Sequence, residues 1–351
     1  MPDKRAMSQS ELAKIFILAV LGFIFALLNT PILTNFLFRN KIGKQIRKSK
    51  DTPLYSKMHA GKEGTPTMGG ILVWGTTLFL IAFFWFTDRV LRIEALSFLN
   101  FLTRKETLLP LGAFIGASVV GLVDDWLDVR QSGHNGRGLS FRFKIWLYAL
   151  VACIGAWWFV FKIDFTLMHI PFFGDFDFGL WFIPIFILIV IGTSFAVNQT
   201  DGLDGLAGGV LMIAFFSYGV IAYAQGRTNL TALIAVVCGS LLAFLWFNVH
   251  PARFFMGDTG SMGMGVLLAI IAFLTKSALL LPLIGFVFVI DTAAGLLQQF
   301  YKRVYKRKLF LSSPLHHHLE AIGWPETKIT MRFWIISAVM GIIGMIIYFI
   351  G

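Results

Sequence analysis

The stretch "ASVVGLVDDWLDVR", residues 117–130, ends an apolar run in three aspartates. The run covers 107–123 and is close to the length of about 20 mostly apolar residues that crosses a bilayer as a helix. Acidic side chains beside such a run are costly unless a partner compensates their charge, so they indicate function. The stretch therefore predicts a membrane-spanning helix with a polar site at its end.

The composition extends this reading to the whole chain of 351 residues. Hydrophobic residues make up 57% of the sequence and charged residues 14%, whereas soluble domains carry about 25% charged residues. The first apolar run, 15–38, is too long for the core of a signal peptide, so it is interpreted as a retained helix. These features predict an all-α polytopic integral membrane protein.

Residues 1–351 are predicted to form a single transmembrane domain with about ten spans. The predicted spans are 15–38, 68–87, 107–123, 144–163, 180–198, 205–224, 230–248, 262–276, 278–300 and 332–350. The eighth and ninth nearly merge, so nine spans is the alternative. The aromatic stretch 164–179 is too broken to span and is expected to lie at the periplasmic interface, as a hairpin.

Basic residues set the predicted orientation. With ten spans both termini share a side, and about two thirds of the 30 Lys and Arg residues fall in the loops of the opposite side. The positive-inside rule places that side in the cytoplasm and both termini in the periplasm, which is the orientation for a bacterial inner membrane. The net charge of +11 is then explained by anionic membrane lipids, and no nucleic acid partner is expected.

Four polar motifs fall on this cytoplasmic face, although the face was inferred from Lys and Arg alone. One is the aspartate cluster after the third predicted span. The others are "NQTDGLDGLAGG" (198–209), "FNVHPARFFMGDTGS" (247–261) and "SSPLHHHLE" (312–320). Their agreement predicts one functional site on the cytoplasmic face.

The aspartates after the third span suggest a divalent cation. On a continuing helix Asp124 and Asp128 are four residues apart and Asp125 and Asp128 three apart, which places each pair on one face. Ionising neighbouring carboxylates near a low-dielectric boundary is costly without a cation. Oxygen ligands favour Mg²⁺, with Mn²⁺ as a substitute. The alternative is a solvated helix end.

The other polar residues each have a structural alternative. Asp201 or Asp204 could cap the next helix, and so could Asp258. The imidazoles of residues 316–318 cannot all face one ion from a regular helix, so hydrogen bonding to phosphate or carboxylate suits them better. Asp291 lies deep in an apolar run and is expected to face the interior of the bundle.

Together these groups describe phosphoryl transfer, which needs charge neutralisation and alignment more than covalent help. A site at the membrane surface lets a soluble phosphate-bearing substrate meet a lipid. The residues therefore predict a metal-dependent transferase that joins such a substrate to a lipid. A transporter is the alternative from another class, but transporters usually place ionisable residues near the midplane and often show a repeat.

The order and spacing of "GTPTMGG" (64–70), "VDDW" (123–126), "NQTDGLDGLAGG", "FMGDTGS" (255–261) and "SPLHHHLE" (313–320) resemble the bacterial phospho-N-acetylmuramoyl-pentapeptide transferases over essentially the whole chain. This resemblance implies Mg²⁺-dependent transfer of phospho-MurNAc-pentapeptide from UDP to undecaprenyl phosphate, giving lipid I and UMP. It also implies ten helices and a homodimer. A sibling enzyme that uses UDP-GlcNAc is the close alternative.

The resemblance also implies roles for matching positions. It implies catalytic roles for Asp124, Asp125, Asp258 and His317, and metal binding by Asp258 and Asp125. The implied substrate-binding residues are Lys62, Asn198, Asp201, Gly202, Asp204, Asn248, Phe255, Gln298, His316, His317 and His318. The positions that depart from the family pattern are Asp128 for a basic residue, Gln199 for an apolar residue, Arg137 for lysine and Asp291 for glutamate.

The mechanism that these residues favour is a single displacement. Asp258 and one aspartate of the pair hold Mg²⁺ against the diphosphate, and Asp124 or Asp125 deprotonates the lipid phosphate before it attacks. A covalent phospho-enzyme formed on an aspartate is the alternative.

Overall fold

The computed structural model describes residues 8–43, 62, 64–104, 106–134 and 138–351. Within these residues, ten helices of 17 residues or more are numbered α1 to α10 here. They are Gln9–Arg39, Ile71–Arg89, Leu108–Val129, Phe141–Lys162, Phe182–Thr200, Leu206–Ala224, Thr228–Asn248, Asp258–Leu274, Phe286–Tyr305 and Glu326–Ile350. Shorter helices are Glu94–Ser97, Leu281–Ile284 and Leu315–Ala321, and two 3₁₀ turns are Gly179–Trp181 and Ala278–Leu280.

The prediction of an all-α polytopic membrane protein is confirmed. Among the described helices, eight (α1 to α7 and α10) are long and apolar enough to cross a membrane. A ninth crossing results if α9 and the bent segment before it count as one span. The remaining predicted span, 262–276, corresponds to α8, an apolar helix of only 17 residues.

Helix α8 lies in the interior of the protein. All of its residues after Asp258 are buried. It packs chiefly against α3 and α5. A Cβ on Gly121 of α3 would lie 2.3 Å from the carbonyl oxygen of Asp258, so only glycine permits this close helix contact. At 1.5 Å per residue α8 is about 26 Å long, and its surroundings are protein rather than lipid.

The predicted span 278–300 contains a sharp bend that the sequence does not predict. The chain forms a short segment, Ala278–Ile284, and then turns by 79° into α9. Pro282 lies in the first turn of the short helix, and Gly285 follows its end. Helix α9 therefore begins at Phe286 and continues to Tyr305, past the predicted end.

The segment 164–179 contains a two-stranded antiparallel hairpin of β1 (Leu167–Ile170) and β2 (Gly174–Asp177). Asp175 of this hairpin accepts a hydrogen bond from Lys276 Nζ at 3.1 Å, and its Oδ1 lies 2.8 Å from His169 Nδ1. Lys276 follows the C-terminal end of α8, whereas Asp258 begins that helix. The hairpin and the aspartate motif therefore lie at opposite ends of α8.

Candidate active site

The N-terminus of α8 is the centre of the site. Helix α3 continues to Val129, because no glycine or proline follows Gly121 within it. Asp125 therefore lies near the C-terminal end of α3. The Asp258 backbone N–H donates to Asp125 Oδ1 at 3.1 Å, and the Thr259 N–H donates to Asp125 Oδ2 at 3.0 Å. A helix N-terminus leaves its first N–H groups without partners inside the helix. Asp125 therefore caps α8 from a neighbouring helix.

Residues at the C-terminal end of α5 and directly after it reach the N-terminus of α8. Asn198 Nδ2 donates to Asp258 Oδ1 at 2.8 Å and to Ser261 Oγ at 2.9 Å. The Gly257 N–H donates to Asp201 Oδ2 at 3.2 Å. The structure thus brings together the first three polar motifs that the sequence analysis placed at one face.

Lys144, at the start of α4, lies between two of the predicted catalytic carboxylates. Its Nζ forms ion pairs with Asp124 Oδ2 and, at 2.9 Å, with Asp258 Oδ2. The other oxygen of Asp124 accepts the backbone N–H of Leu139 at 2.7 Å. Asp124 is buried, so one shared cation compensates two acids in a region of reduced dielectric.

A second polar cluster surrounds Lys62. Its Nζ contacts Asp204 Oδ1 at 2.7 Å and Glu326 Oε1 at 2.5 Å. Asp204 Oδ2 also contacts His250 Nδ1 at 2.9 Å and accepts the Ala252 N–H at 3.1 Å. This cluster joins the segment before α6, the segment after α7 and the start of α10.

The pKa values of Asp204 and Lys62 are both shifted toward the charged forms of these side chains. Burial raises the pKa of Asp204, but the hydrogen bond and charge of Lys62, with further donors, hold that pKa below its usual range. Burial lowers the pKa of Lys62, but hydrogen bonds and charges from Asp204 and Glu326 hold that pKa above its usual range. Asp204 is therefore ionised and Lys62 protonated at neutral pH.

Two further predicted binding residues lie around this cluster. The Phe255 ring centroid is 5.8 Å from Lys62 Nζ, which gives the ammonium an aromatic neighbour. Asn248 is buried, and its amide accepts the Gly205 N–H at 3.1 Å and donates to the Phe254 carbonyl at 2.8 Å. Asn248 therefore holds the two segments together.

The three consecutive histidines have different surroundings. His316 is fully buried, and its Nδ1 lies 2.9 Å from Asp291 Oδ2. His317 Nδ1 lies 2.6 Å from Glu320 Oε2. His318 Nδ1 accepts the Leu311 N–H at 3.3 Å. The three Nδ1 atoms therefore contact three different residues. This agrees with the prediction that the imidazoles cannot all face one centre.

Gln298 supports the segment that follows α9. It is buried, and its Oε1 accepts the backbone N–H groups of Leu309 and Phe310, both at 2.9 Å. Its Nε2 donates to the Phe310 carbonyl at 3.1 Å. The predicted substrate-binding side chain therefore makes three backbone contacts within the protein.

The residues that differ from the family pattern lie in separate parts of the structure. Asp128 is half-buried on α3, one turn after Asp124. Gln199 Nε2 donates to the backbone carbonyl of Asp291 at 3.2 Å, so its amide is used inside the bundle. Arg137 lies outside the described residues.

The donor set near Lys144 fits a divalent cation. Asp124 and Asp258 each direct one oxygen at the same ammonium, and Mg²⁺ usually takes one or two carboxylates plus substrate phosphates. Both oxygens of Asp125 already accept backbone N–H groups, so its role as a metal ligand remains a prediction.

A different trio has the closest ligand atoms. Among the described residues, Asp204, His250 and Glu326 form the one group of three acidic, histidine or cysteine side chains whose ligand atoms all lie within 4.8 Å of one another. The ammonium of Lys62 already contacts both acids of this trio, so the protein itself supplies their counter-charge.

Three residues of the site, Lys144, Glu326 and His250, were not predicted from the sequence. Lys144 opens a predicted apolar span, where a lysine is usually read as reaching toward the membrane surface. The signal that could have found Lys144 is its position at the end of a predicted span, on the same predicted face as the aspartate motifs. Glu326 follows Pro325 at the start of α10, so it looked like an ordinary first-turn acid.

The fold and the converging acids define a class of protein, a polytopic membrane protein with a carboxylate-lined site at one end of its helix bundle. Glycosyl transferase family 4 matches residues 107–276, which run from α3 to the end of α8. This match covers the aspartate motif, Lys144, the segment between α5 and α6, and Asp258.

Relatives extend the match to nearly the full chain. The phospho-N-acetylmuramoyl-pentapeptide-transferase of Chloroflexus aurantiacus is 39% identical, covering 97% of this chain and 91% of the relative. Those of a Geobacillus species and of Rickettsia massiliae are 36% and 37% identical, covering 96% and 90% of this chain and 98% and 87% of the relatives. The chain belongs to the phospho-N-acetylmuramoyl-pentapeptide-transferase family.

Proposed function

We propose that the protein transfers phospho-MurNAc-pentapeptide from UDP-MurNAc-pentapeptide to undecaprenyl phosphate, forming lipid I and UMP in peptidoglycan synthesis. The names and coverage of the relatives support this reaction. The observation that carries it is the convergence of Asp124, Asp258 and Asn198 on the Lys144 ammonium and the α8 N-terminus. Such a cluster suits a phosphoryl group that needs charge neutralisation.

Asp258 is the proposed first ligand of Mg²⁺, with a carboxylate of the adjacent pair as the second. The sequence-based choice for the second ligand is Asp125, whose established contact is the cap on α8. The ion, when bound, neutralises negative charge on the diphosphate. Asn198 orients the Asp258 carboxylate through its hydrogen bond to Oδ1.

The proposed reaction is a single displacement. An oxygen of the lipid phosphate attacks the β-phosphorus, a new P–O bond forms, the bond between the β-phosphorus and the bridging oxygen breaks, and UMP leaves. A proton on the lipid phosphate passes to Asp124. Lys144, which lies between Asp124 and Asp258, is positioned to donate to phosphate oxygens once substrate enters. His317 remains a catalytic candidate by resemblance only.

The uridine and diphosphate pocket is proposed along the segments that carry Lys62, Asp204 and Phe255. An aromatic ring beside a lysine can stack on a base while the cation balances phosphate charge. Asn248 and Gln298 act in this proposal by holding the pocket segments through backbone contacts.

The proposed location is the bacterial inner membrane, with the site facing the cytoplasm, both termini periplasmic and the protein a homodimer. The distribution of Lys and Arg supports the orientation. Labelling of single cysteines introduced at residues 173 and 303 in intact cells tests it. We expect residue 173, in the hairpin, to react with an impermeant reagent and residue 303, in the last turn of α9, to be protected.

UMP release from protein in detergent tests the reaction. We expect Mg²⁺-dependent release with undecaprenyl phosphate and UDP-MurNAc-pentapeptide, and none with UDP-GlcNAc. Asp258→Ala should remove most of the turnover, with Asp175→Asn in the distant hairpin as a matched control. Equal turnover by Asp258→Ala and wild type would exclude Asp258 from the metal site.

The stereochemical course separates the two mechanisms. A donor chiral at the β-phosphorus should give product with inverted configuration after one displacement. Net retention would indicate two displacements and a covalent phospho-enzyme.

A further inference from the structure

Asp291 and His316 form a fully buried pair on two different elements. Asp291 lies on α9, His316 lies on the short helix Leu315–Ala321, and both have 0% exposure. The Nδ1 atom of His316 is 3.0 Å from Asp291 Oδ1 and 2.9 Å from Oδ2. The backbone N–H of His316 also donates to Oδ1, at 3.1 Å. The carboxylate therefore holds both the ring and the backbone of this histidine.

The contact with Asp291 requires a hydrogen on Nδ1 of His316. A carboxylate can only accept hydrogen bonds, so Nδ1 facing both oxygens must donate. The carboxylate is itself held from α5, since Thr200 Oγ1 donates to Oδ2 at 3.3 Å and Gln199 Nε2 donates to the Asp291 backbone carbonyl at 3.2 Å. The ring orientation is thus determined from α5 and α9.

The opposite ring nitrogen faces a predicted substrate-binding residue. A Cβ on Gly202 would lie 2.3 Å from His316 Nε2, so the glycine backbone approaches that atom directly. Nε2 is buried and has no hydrogen-bond partner among the described residues. A buried polar atom without a partner is costly, so such an atom in a binding site points to a group supplied by a ligand.

We infer that Asp291 is the positioning residue that holds His316 with Nε2 directed at the bound nucleotide substrate beside Gly202. The inference rests on the proposed function. The ligand group is an oxygen of the diphosphate, because the neighbouring Asp201 contacts the Gly257 N–H, one residue before Asp258. With Nδ1–H on the carboxylate, a second proton on Nε2 would let the ring donate to the phosphate oxygen, and the charge of Asp291 would balance that of the ring.

A double-mutant cycle tests this role. Asp291→Asn keeps the size of the side chain but removes the charge, and we expect kcat/KM for the UDP substrate to fall about 10- to 100-fold, as for other residues that orient a ligating histidine. The loss should lie in the KM for the UDP substrate, with the KM for undecaprenyl phosphate unchanged. In a His316→Gln background the same substitution should change kcat/KM by less than about twofold.

Thr292→Val is the matched control, since Thr292 is the next residue on α9 and its replacement is nearly isosteric. It should leave both KM values unchanged. Thermal unfolding of each variant in detergent shows that it is folded. Additive losses in the double variant, or equal changes in both KM values, would overturn the role of Asp291 while leaving the proposed function intact. A folded wild type that releases no UMP would instead overturn the proposed function.

Discussion

Lys144 Nζ lies 2.9 Å from Asp258 Oδ2 and also forms an ion pair with Asp124, so one ammonium joins the start of α4 to the start of α8 and the end of α3. The protein therefore supplies both the ammonium and the two carboxylates of this cluster. A divalent ion that approaches the same oxygens therefore competes with a tethered positive charge.

Replacing Lys144 should separate metal binding from turnover. In Lys144→Met the two carboxylates lose their cation, so we expect half-maximal activity at a lower Mg²⁺ concentration. The maximal rate should fall roughly 10- to 100-fold, since a charged hydrogen bond is worth about 1.5–3 kcal/mol. Initial rates of UMP release across a Mg²⁺ titration measure both effects.

Arg142→Met is the matched control for this prediction, because Arg142 is an exposed cation on the same helix. It should leave the rate and the Mg²⁺ requirement unchanged. An unaltered Mg²⁺ dependence in Lys144→Met would contradict competition for the same oxygens.

Asp125 should contribute to stability through its cap on α8. Asp125→Ala leaves the N–H groups of Asp258 and Thr259 without their acceptor, so we expect a loss of about 1–2 kcal/mol of unfolding free energy, the range for a lost N-cap. Denaturation in detergent measures the loss. Asp128→Ala, on the same helix but without this contact to α8, should lose less than half as much.

The pair of Lys62 and Asp204 predicts a defined pH dependence of stability. The pKa of Asp204 is lowered on folding, so its contribution is present above the ordinary value of about 3.9 and is lost as the pH falls through the lower folded value. The pKa of Lys62 is raised, so its contribution is present below about 10.4 and is lost as the pH rises through the higher folded value.

The destabilisation caused by Asp204→Asn should therefore be about 2 kcal/mol between roughly pH 7 and 9, where both Asp204 and Lys62 are charged. It should shrink as the pH falls below about 4. Unfolding of wild type and variant in parallel at each pH gives the difference. A difference that does not change down to pH 2 would mean that the ion pair is not its source.

Gly121 and Gly112 provide a matched test of the contact between α3 and α8. A Cβ at position 121 would meet the Asp258 carbonyl oxygen at 2.3 Å, whereas a Cβ at position 112 meets nothing within 4 Å. We expect Gly121→Ala to reduce stability by about 1–3 kcal/mol and to reduce UMP release, because α8 and Asp258 must shift. Gly112→Ala should be neutral or stabilising by up to about 1 kcal/mol.

Thermal unfolding and UMP release of the two alanine variants measure these effects side by side. Equal behaviour would show that α3 and α8 can separate at little cost.

The sequence predicts the meeting of Asp124, Asp201 and Asp258, because apolar runs of membrane-crossing length fix which loops share an end of the bundle. It does not predict which contacts form there. The pairing of Lys62 with Glu326 joins residues separated by 264 positions, and the cap from Asp125 depends on how closely α3 crosses α8. The bend before α9 was missed because an apolar run shows length, whereas a turn at Gly285 depends on packing.

The enclosure of α8 has a consequence for how this chain and its relatives diverge. A side chain that faces lipid can be exchanged for another apolar one of different size, because acyl chains adjust to it. Residues from Thr259 to Leu274 contact protein on every side, and there a gain or loss of a single methylene must be matched by a neighbour. Substitutions along α8 should therefore be few and should occur in compensating pairs, while the outward faces of α1 and α10 drift freely.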